Sequence, residues 1–192
     1  MQKNRAIYLM NIAITGNIGS GKSEVIKFLK SLNFRCISSD KIISGFYSNE
    51  KTRSSILNKL KLNHKNYKEE ILKNLGDEKF NRLLKKIIYP MLYAKKKLMA
   101  PKFETYNPIF FEVPLLFEEK LAKSFDLIIF IKSDINKRKE RVLKRGASKE
   151  YFNLMNKKQF NENIKSHLSD FTIQNNGSIL NLRLNIIKLL NL

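Results

Sequence analysis

Residues 16–23, Gly-Asn-Ile-Gly-Ser-Gly-Lys-Ser, gather three of the chain's seven glycines into six positions and follow them at once with Lys22 and Ser23. The spacing G-x-x-x-x-G-K-[ST] suits a loop whose backbone N–H groups turn inward around a phosphate chain. Lys22 would reach the β- and γ-phosphates there, and the Ser23 hydroxyl would ligate Mg²⁺. The nucleotide-binding set read from this stretch is Gly16, Gly19, Ser20, Gly21, Lys22, Ser23 and Glu24. A flexible glycine turn matching by chance is the bland alternative.

The flanks decide between the two, because the motif needs a strand before it and a helix after it. "AIYLMNIAIT" (6–15) is apolar and β-branched, long enough for a buried strand. "SEVIKFLKSL" (23–32) carries Val25, Ile26, Phe28, Leu29 and Leu32 at helical spacing. The partial positive charge at the start of that helix would face the phosphates.

Three further groups could take part in phosphoryl transfer. Asp40 follows the stretch "FRCIS" (34–38) and is the candidate general base for an acceptor hydroxyl. The same residue could serve as the N-cap of a helix beginning in "KIISGF", and the roles are compatible. Glu112 ends the apolar part of "NPIFFEVP" (107–114). It could act on Mg²⁺ through water, as a Walker-B acid does, or accept hydrogen bonds from loop amides. Arg138, Arg141 and Arg145 are spaced by three and four in a chain that otherwise prefers lysine. One helical face would carry all three. The planar fork of arginine suits a lid that delivers charge to a transferring phosphate, whereas a solvated face with Glu140 is the plainer alternative.

These residues need a scaffold. Apolar runs at 34–38, 107–114, 125–131 and 170–174 read as strands after the first, with helical pattern between them. Residues 41–104 hold no convincing strand and a helical pattern interrupted by Pro90. A basic helix spans roughly 135–145, Ser148 signals a further N-cap, and "ILNLRLNIIKLLNL" (179–192) closes the chain as a helix. The order is α/β, βα units around a parallel sheet with a helical insert after the second strand. Asp126, at the start of the fourth strand, falls on the edge opposite the chemistry and reads as structural.

Composition narrows the class. At 192 residues and 43% hydrophobic, the chain forms one globular domain. Its single cysteine, Cys36, permits no disulfide framework and fits a reducing cytoplasm. The opening "MQKNRAIYLMNIAIT" is basic and then apolar but lacks a small-residue cleavage site, so it reads as strand; residues 1–9 would be a dispensable tail if translation starts at Met10. No apolar run approaches a membrane span. The formal charge is +20, carried by 29 Lys and 8 Arg. No nucleic-acid-binding motif accompanies it and aromatics are not interleaved with basic clusters, so nucleic acid and membrane are not expected partners. The charge favours small anionic substrates.

The chain resembles the dephospho-coenzyme A kinase family, P-loop kinases related to the nucleoside monophosphate kinases. "IAITGNIGSGKSEV", "CISSDKI", "VPLLFE" (113–118), "RKERVLKR", Gln159 and the "SD…IQNNGS" ending are similar to that family's motifs. The resemblance implies a three-layer P-loop kinase fold with a five-stranded parallel sheet. It implies a core of 1–48 and 105–192, a helical acceptor-binding insert at about 49–104 and a lid at about 136–160. It also implies ATP and Mg²⁺ as cofactors, transfer to the ribose 3′-hydroxyl of dephospho-coenzyme A, Asp40 as catalytic aspartate, and Lys22, Arg141 and Arg145 in catalysis. Asn176 and Gly177 would lie at the adenine, and the family often has Gln at the place of Arg138. A monomer or small homo-oligomer is expected.

Departures fall at the acceptor end. The family's His-Pro pair is Tyr89-Pro90, its Asp-Arg pair is missing around "KNYKEE", Glu112 stands for an Asp, and Glu24 for a Thr. A kinase for another small hydroxyl acceptor is the second reading. A nucleotide-dependent switch is the third, but "NKRK" (136–139) lacks the Asp of a guanine-binding motif and no Asp-x-x-Gly occurs.

Overall fold

A computed structural model describes residues 10–99 and 108–191. The expected tail 1–9, the opening part of the first strand, the end of the insert with the first residue of the third strand, and Leu192 lie outside the described residues.

Five strands form one all-parallel sheet: β1 (Asn11–Thr15), β2 (Arg35–Ser38), β3 (Ile109–Glu112), β4 (Leu127–Lys132) and β5 (Phe171–Gln174), in spatial order β2-β3-β1-β4-β5. β1 is central, with Ile14 level with Glu112 of β3 and with Ile129 of β4. Its residues alternate between two apolar clusters because successive side chains point to opposite faces. Ile12 and Ile14 pack with Val25, Ile26 and Leu29 of α1 (Lys22–Ser31) and with Leu182 and Ile186 of the closing helix. Ala13 faces Val113, Leu116, Phe117 and Ile128. Each fully buried Ile, Leu or Phe contributes about 1.5–3 kcal/mol, so the sheet is held from both faces.

The crossover from β1 runs toward β2, while that from β4 runs toward β5, so the direction of the crossovers reverses between the parallel neighbours β1 and β4. A crevice at the carboxyl ends of the strands opens at such a reversal. The loops that leave β1 and β4 there are 16–21 and 133–134. At the amino ends, carboxylates satisfy strand amides: Asp126 accepts from the N–H of Asn11 at 2.7 Å and Asp170 from that of Ile128 at 2.7 Å. Asp126 is structural, as its position implied.

The chain divides into two compact units, Met1–Ile37 with Glu104–Leu192, and Ser38–Phe103. The second unit contains α2 (Ser39–Ser48), α3 (Glu50–Leu60), α4 (Tyr67–Asn74) and α5 (Glu78–Met99). It begins at Ser38 rather than near 49 because α2 belongs to it: Ile43, Phe46 and Tyr47 pack on Ile56, Leu60 and Ile88. α5 runs through Pro90 without ending, contrary to the interruption expected there. Pro90 is exposed, so water can satisfy the carbonyl its ring displaces, and Ile88, Tyr89 and Met91 anchor the helix on either side.

After β4 come α6 (Ile135–Leu143), α7 (Lys149–Lys157) and α8 (Glu162–His167), and after β5 comes α9 (Ile179–Leu190). α6 stops at Leu143, short of the expected 145, and a turn with Gly146 at φ 85° leads on to the Ser148 N-cap of α7. Among the described residues no helix is long and apolar enough to cross a membrane.

Candidate active site

The loop between β1 and α1 has the backbone that its sequence requires. Gly19 and Gly21 hold φ of 77° and 104°, left-handed values that side chains disfavour. A Cβ at Gly19 would also strike the backbone of Arg138, and one at Gly21 the side chain of Asn175. Gly21 is the N-cap of α1 and offers no side-chain cap. The amides of Gly19, Gly21 and Ser23 have no acceptor among the described residues. Three donors at the positive end of a helix form an anion cradle. Lys22 is buried, and its Nζ donates to the carbonyls of Gly16 at 2.9 Å and Asn17 at 3.2 Å. The ammonium therefore lies along the loop it would neutralise.

Ser23 Oγ donates to Glu112 Oε1 at 3.0 Å, and Glu112 is 3% exposed. β3 lies beside β1 in parallel register, which brings its last residue level with the end of β1. The hydroxyl and carboxylate are hard oxygen donors of the kind Mg²⁺ accepts, and Mg²⁺ usually takes only one or two protein ligands beside phosphates and water. Among the described residues, Ser20 Oγ and Thr15 Oγ1 are buried with no hydrogen-bond partner, further oxygens near the same strand end. The residues present thus fit a magnesium–nucleotide site. Glu24, expected among the nucleotide contacts, pairs through its carboxylate with Lys27 at 2.9 Å, and its amide donates to Gly21 O.

The three arginines do not share one environment. Arg138 is 3% exposed: its Nε donates to Ser133 O at 2.9 Å, and its Nη1 to Asn156 Oδ1 at 2.8 Å and Ile18 O at 3.3 Å. Burial pushes its guanidinium pKa down, while Glu162 raises it. Arg141 is half-buried and donates to Gly19 O at 3.4 Å, Ser133 Oγ at 3.0 Å and Asn175 O at 2.8 Å. Arg145 lies beyond the end of α6, not on its face. It is exposed, and its side chain makes no hydrogen bond or ion pair among the described residues.

The turn after β5 closes the crevice. Asn175 is buried, and its Nδ2 donates to Ser20 O at 2.7 Å. Asn176 Oδ1 accepts from Ser133 Oγ at 3.1 Å and the Asp134 amide at 2.9 Å, and Asn176 O accepts from Lys137 Nζ. Gly177 follows, exposed. Gln159, read from a motif alone, bonds through Oε1 to the Ile18 amide at 2.7 Å. Sequence reasoning passed over Asn17, Ser133 and Lys165, and it singled out Asn176 and Gly177 of the Asn-Asn-Gly turn but not Asn175, the turn's first residue.

In the second unit, Ser38 caps α2, its Oγ accepting from the Lys41 amide at 3.3 Å. Asp40 is therefore not the cap; it sits exposed in the first helical turn, two residues past the end of β2. Burial lowers the pKa of Lys96, and the Asp40 carboxylate raises it. Tyr89 packs on the Ile56–Ile88 cluster.

The family model for dephospho-CoA kinase matches residues 10–181, from the start of β1 into α9. The chain belongs to the dephospho-CoA kinase family. It is a kinase, and its step is the last of coenzyme A biosynthesis. Dephospho-CoA kinase of Rickettsia typhi is 28% identical over 95% of this chain and 96% of its own length. That of Fusobacterium nucleatum is 30% identical over 89% and 92%. A crystal structure from Thermus thermophilus superposes with a TM-score of 0.80 at 23% identity, covering 96% of this chain and 97% of that one, which speaks to the fold. The P-loop kinase architecture expected from the sequence is the one observed.

Proposed function

We propose that residues 16–23 bind the phosphates of ATP with Mg²⁺, and that the chain passes the γ-phosphoryl group to the ribose 3′-hydroxyl of dephospho-CoA. The observation that carries this reading is the cradle itself: the amides of Gly19, Gly21 and Ser23 at the start of α1, with Ser23 Oγ on Glu112. Lys22 exchanges its carbonyl partners for the β- and γ-phosphate oxygens as charge grows on them. Ser23 and Glu112 would hold Mg²⁺, Ser23 directly and Glu112 through water, and the bound ion would supply positive charge to offset that of the nucleotide phosphates.

Asn176 and Gly177 would face the adenine at the turn held by Ser133 and Lys137. Arg141 clamps that turn to the phosphate loop, and Arg145, exposed beyond α6, supplies charge to the γ-phosphoryl group in flight. Asp40 orients the 3′-hydroxyl and takes its proton; its place just past the end of β2, where parallel sheets keep their chemistry, supports that role. The helical unit Ser38–Phe103 would receive the acceptor, and the segment 136–160 would act as the lid.

A coupled assay of ADP release with dephospho-CoA, adenosine monophosphate and a simple sugar tests this. Turnover with dephospho-CoA, lost in Lys22→Ala together with ATP binding, is the expected result. Turnover with another acceptor only would move the chain to the second reading, a kinase for a different small alcohol. A near-normal Lys22→Ala enzyme would overturn the phosphate-loop assignment.

A further inference from the structure

Lys165 in α8 is wholly buried, and nothing in the chemistry above uses it. Its Nζ lies 2.7 Å from Glu118 Oε1 and donates to Pro114 O at 3.2 Å. Glu118, itself 8% exposed, uses the same oxygen to accept from the Phe160 amide at 2.7 Å. The far side of the 159–160 segment grips the phosphate loop. Phe160 O accepts from Asn17 Nδ2 at 3.1 Å, and Gln159 Oε1 accepts from the Ile18 amide at 2.7 Å. Arg138 holds the next group along, Ile18 O.

A buried ion pair is weak as a stabiliser, since apolar groups of similar volume often serve the fold as well. What apolar groups could not do is fix an acceptor at the Phe160 amide. The strap engages Asn17 and Ile18 and leaves the amides of Gly19, Gly21 and Ser23 unengaged. It consumes the loop groups that do not line the cradle and spares those that do.

We propose that the buried Lys165–Glu118 pair is a positioning device for the phosphate loop, acting through the Gln159–Phe160 strap to hold the cradle open in its ATP-binding shape. Lys165, Glu118 and Gln159 are positioning residues, and their effect falls on ATP rather than on the acceptor. The inference rests on the reading of 16–23 as the ATP loop.

The experiment measures KM for ATP and for dephospho-CoA separately, binding of a non-hydrolysable ATP analogue, and melting temperature. The variants are Gln159→Ala, Lys165→Met and the apolar pair Glu118→Leu/Lys165→Met, which removes the acceptor at the Phe160 amide together with both charges. Gln159→Ala buries no lone charge; its KM for ATP should rise about tenfold and its KM for dephospho-CoA should move less than about twofold. Lys165→Met leaves Glu118 buried without its cation and should lose both stability and ATP affinity. The double variant should regain most of the melting temperature while its KM for ATP stays raised. If Lys165→Met does not fold, Gln159→Ala and the double variant decide the matter. An unchanged KM for ATP in those two overturns the proposal and leaves the pair a structural one. Lys22→Ala is the control: if it alone abolishes analogue binding, the ATP loop stands and only the strap has failed.

Discussion

Arg141 and Asn175 are joined by a hydrogen bond of 2.8 Å from the guanidinium Nη2 to the backbone carbonyl, while the Asn175 side chain donates to Ser20 O at 2.7 Å. α6, the turn after β5 and the loop between β1 and α1 thereby form one circuit. Arg141 also reaches Gly19 O and Ser133 Oγ, so its fork serves three acceptors from different segments.

An ammonium cannot reproduce that fork. Arg141→Lys should lower turnover at least tenfold, about 1.4 kcal/mol of transition-state stabilisation. Arg145→Lys should lower turnover similarly with no change in melting temperature, because the exposed Arg145 side chain supports nothing in the fold. Steady-state kinetics beside thermal melts check both; a silent Arg141→Lys would show that turnover does not need the fork, and a silent Arg145→Lys would make Arg145 surface charge.

Arg138 should behave differently. Its guanidinium is buried among Ser133 O, Ile18 O and Asn156 Oδ1, over the ring of Phe152. Arg138→Ala should cost on the order of 3 kcal/mol of unfolding free energy, since buried acceptors lose their donor and Glu162 its nearest cation. Denaturant unfolding measures it, and a loss below about 1 kcal/mol would show that the fold does not depend on the group.

Asp40→Asn separates chemistry from capping. Ser38 is the cap, so stability should move by less than about 1 kcal/mol, the worth of a charge in the first helical turn. Turnover with dephospho-CoA should nearly vanish while ATP affinity holds. Full activity in this variant would falsify the base role.

Cys36 should resist alkylation. Burial, opposed by Lys30 and reinforced by Glu112, pushes its thiol up to about 11. At pH 8 the thiolate fraction, and with it the iodoacetamide rate, should fall about a hundredfold below that of a free thiol. The rate should keep climbing with pH above 9, where an unperturbed cysteine levels off. A plateau near pH 9 would mean that the thiol titrates like an exposed one.

The phosphate loop was legible because its evidence is contiguous. Eight successive residues specify the turn, and the stretches on either side specify strand and helix, so backbone conformation follows from local sterics. The strand order needed more: apolar runs do not say which strand lies beside which, and only the pairing of β1 with β3 and β4, and of β4 with β5, decides it. The boundary of the helical unit was misplaced for a related reason: α2 follows directly on β2 in sequence, and only its packing of Ile43 and Phe46 on Ile56 assigns it to the insert.

Sequence by itself determined the family and the backbone of the glycine loop, and it named the candidates Asp40, Glu112, Arg141 and Arg145, because glycine conformation, helix direction and residue chemistry act over a few neighbours. Tertiary structure decided what each charged group does. Arg138, Arg141 and Arg145 look alike along the chain, yet one is buried, one joins three segments and one is exposed past the helix end. Lys165 sits in "ENIKSH", a stretch with the polarity of a solvated helix, and is buried because Glu118 and Pro114, distant in sequence, supply its acceptors. Desolvation and long-range pairing depend on which segments fold against each other, and no local pattern records them.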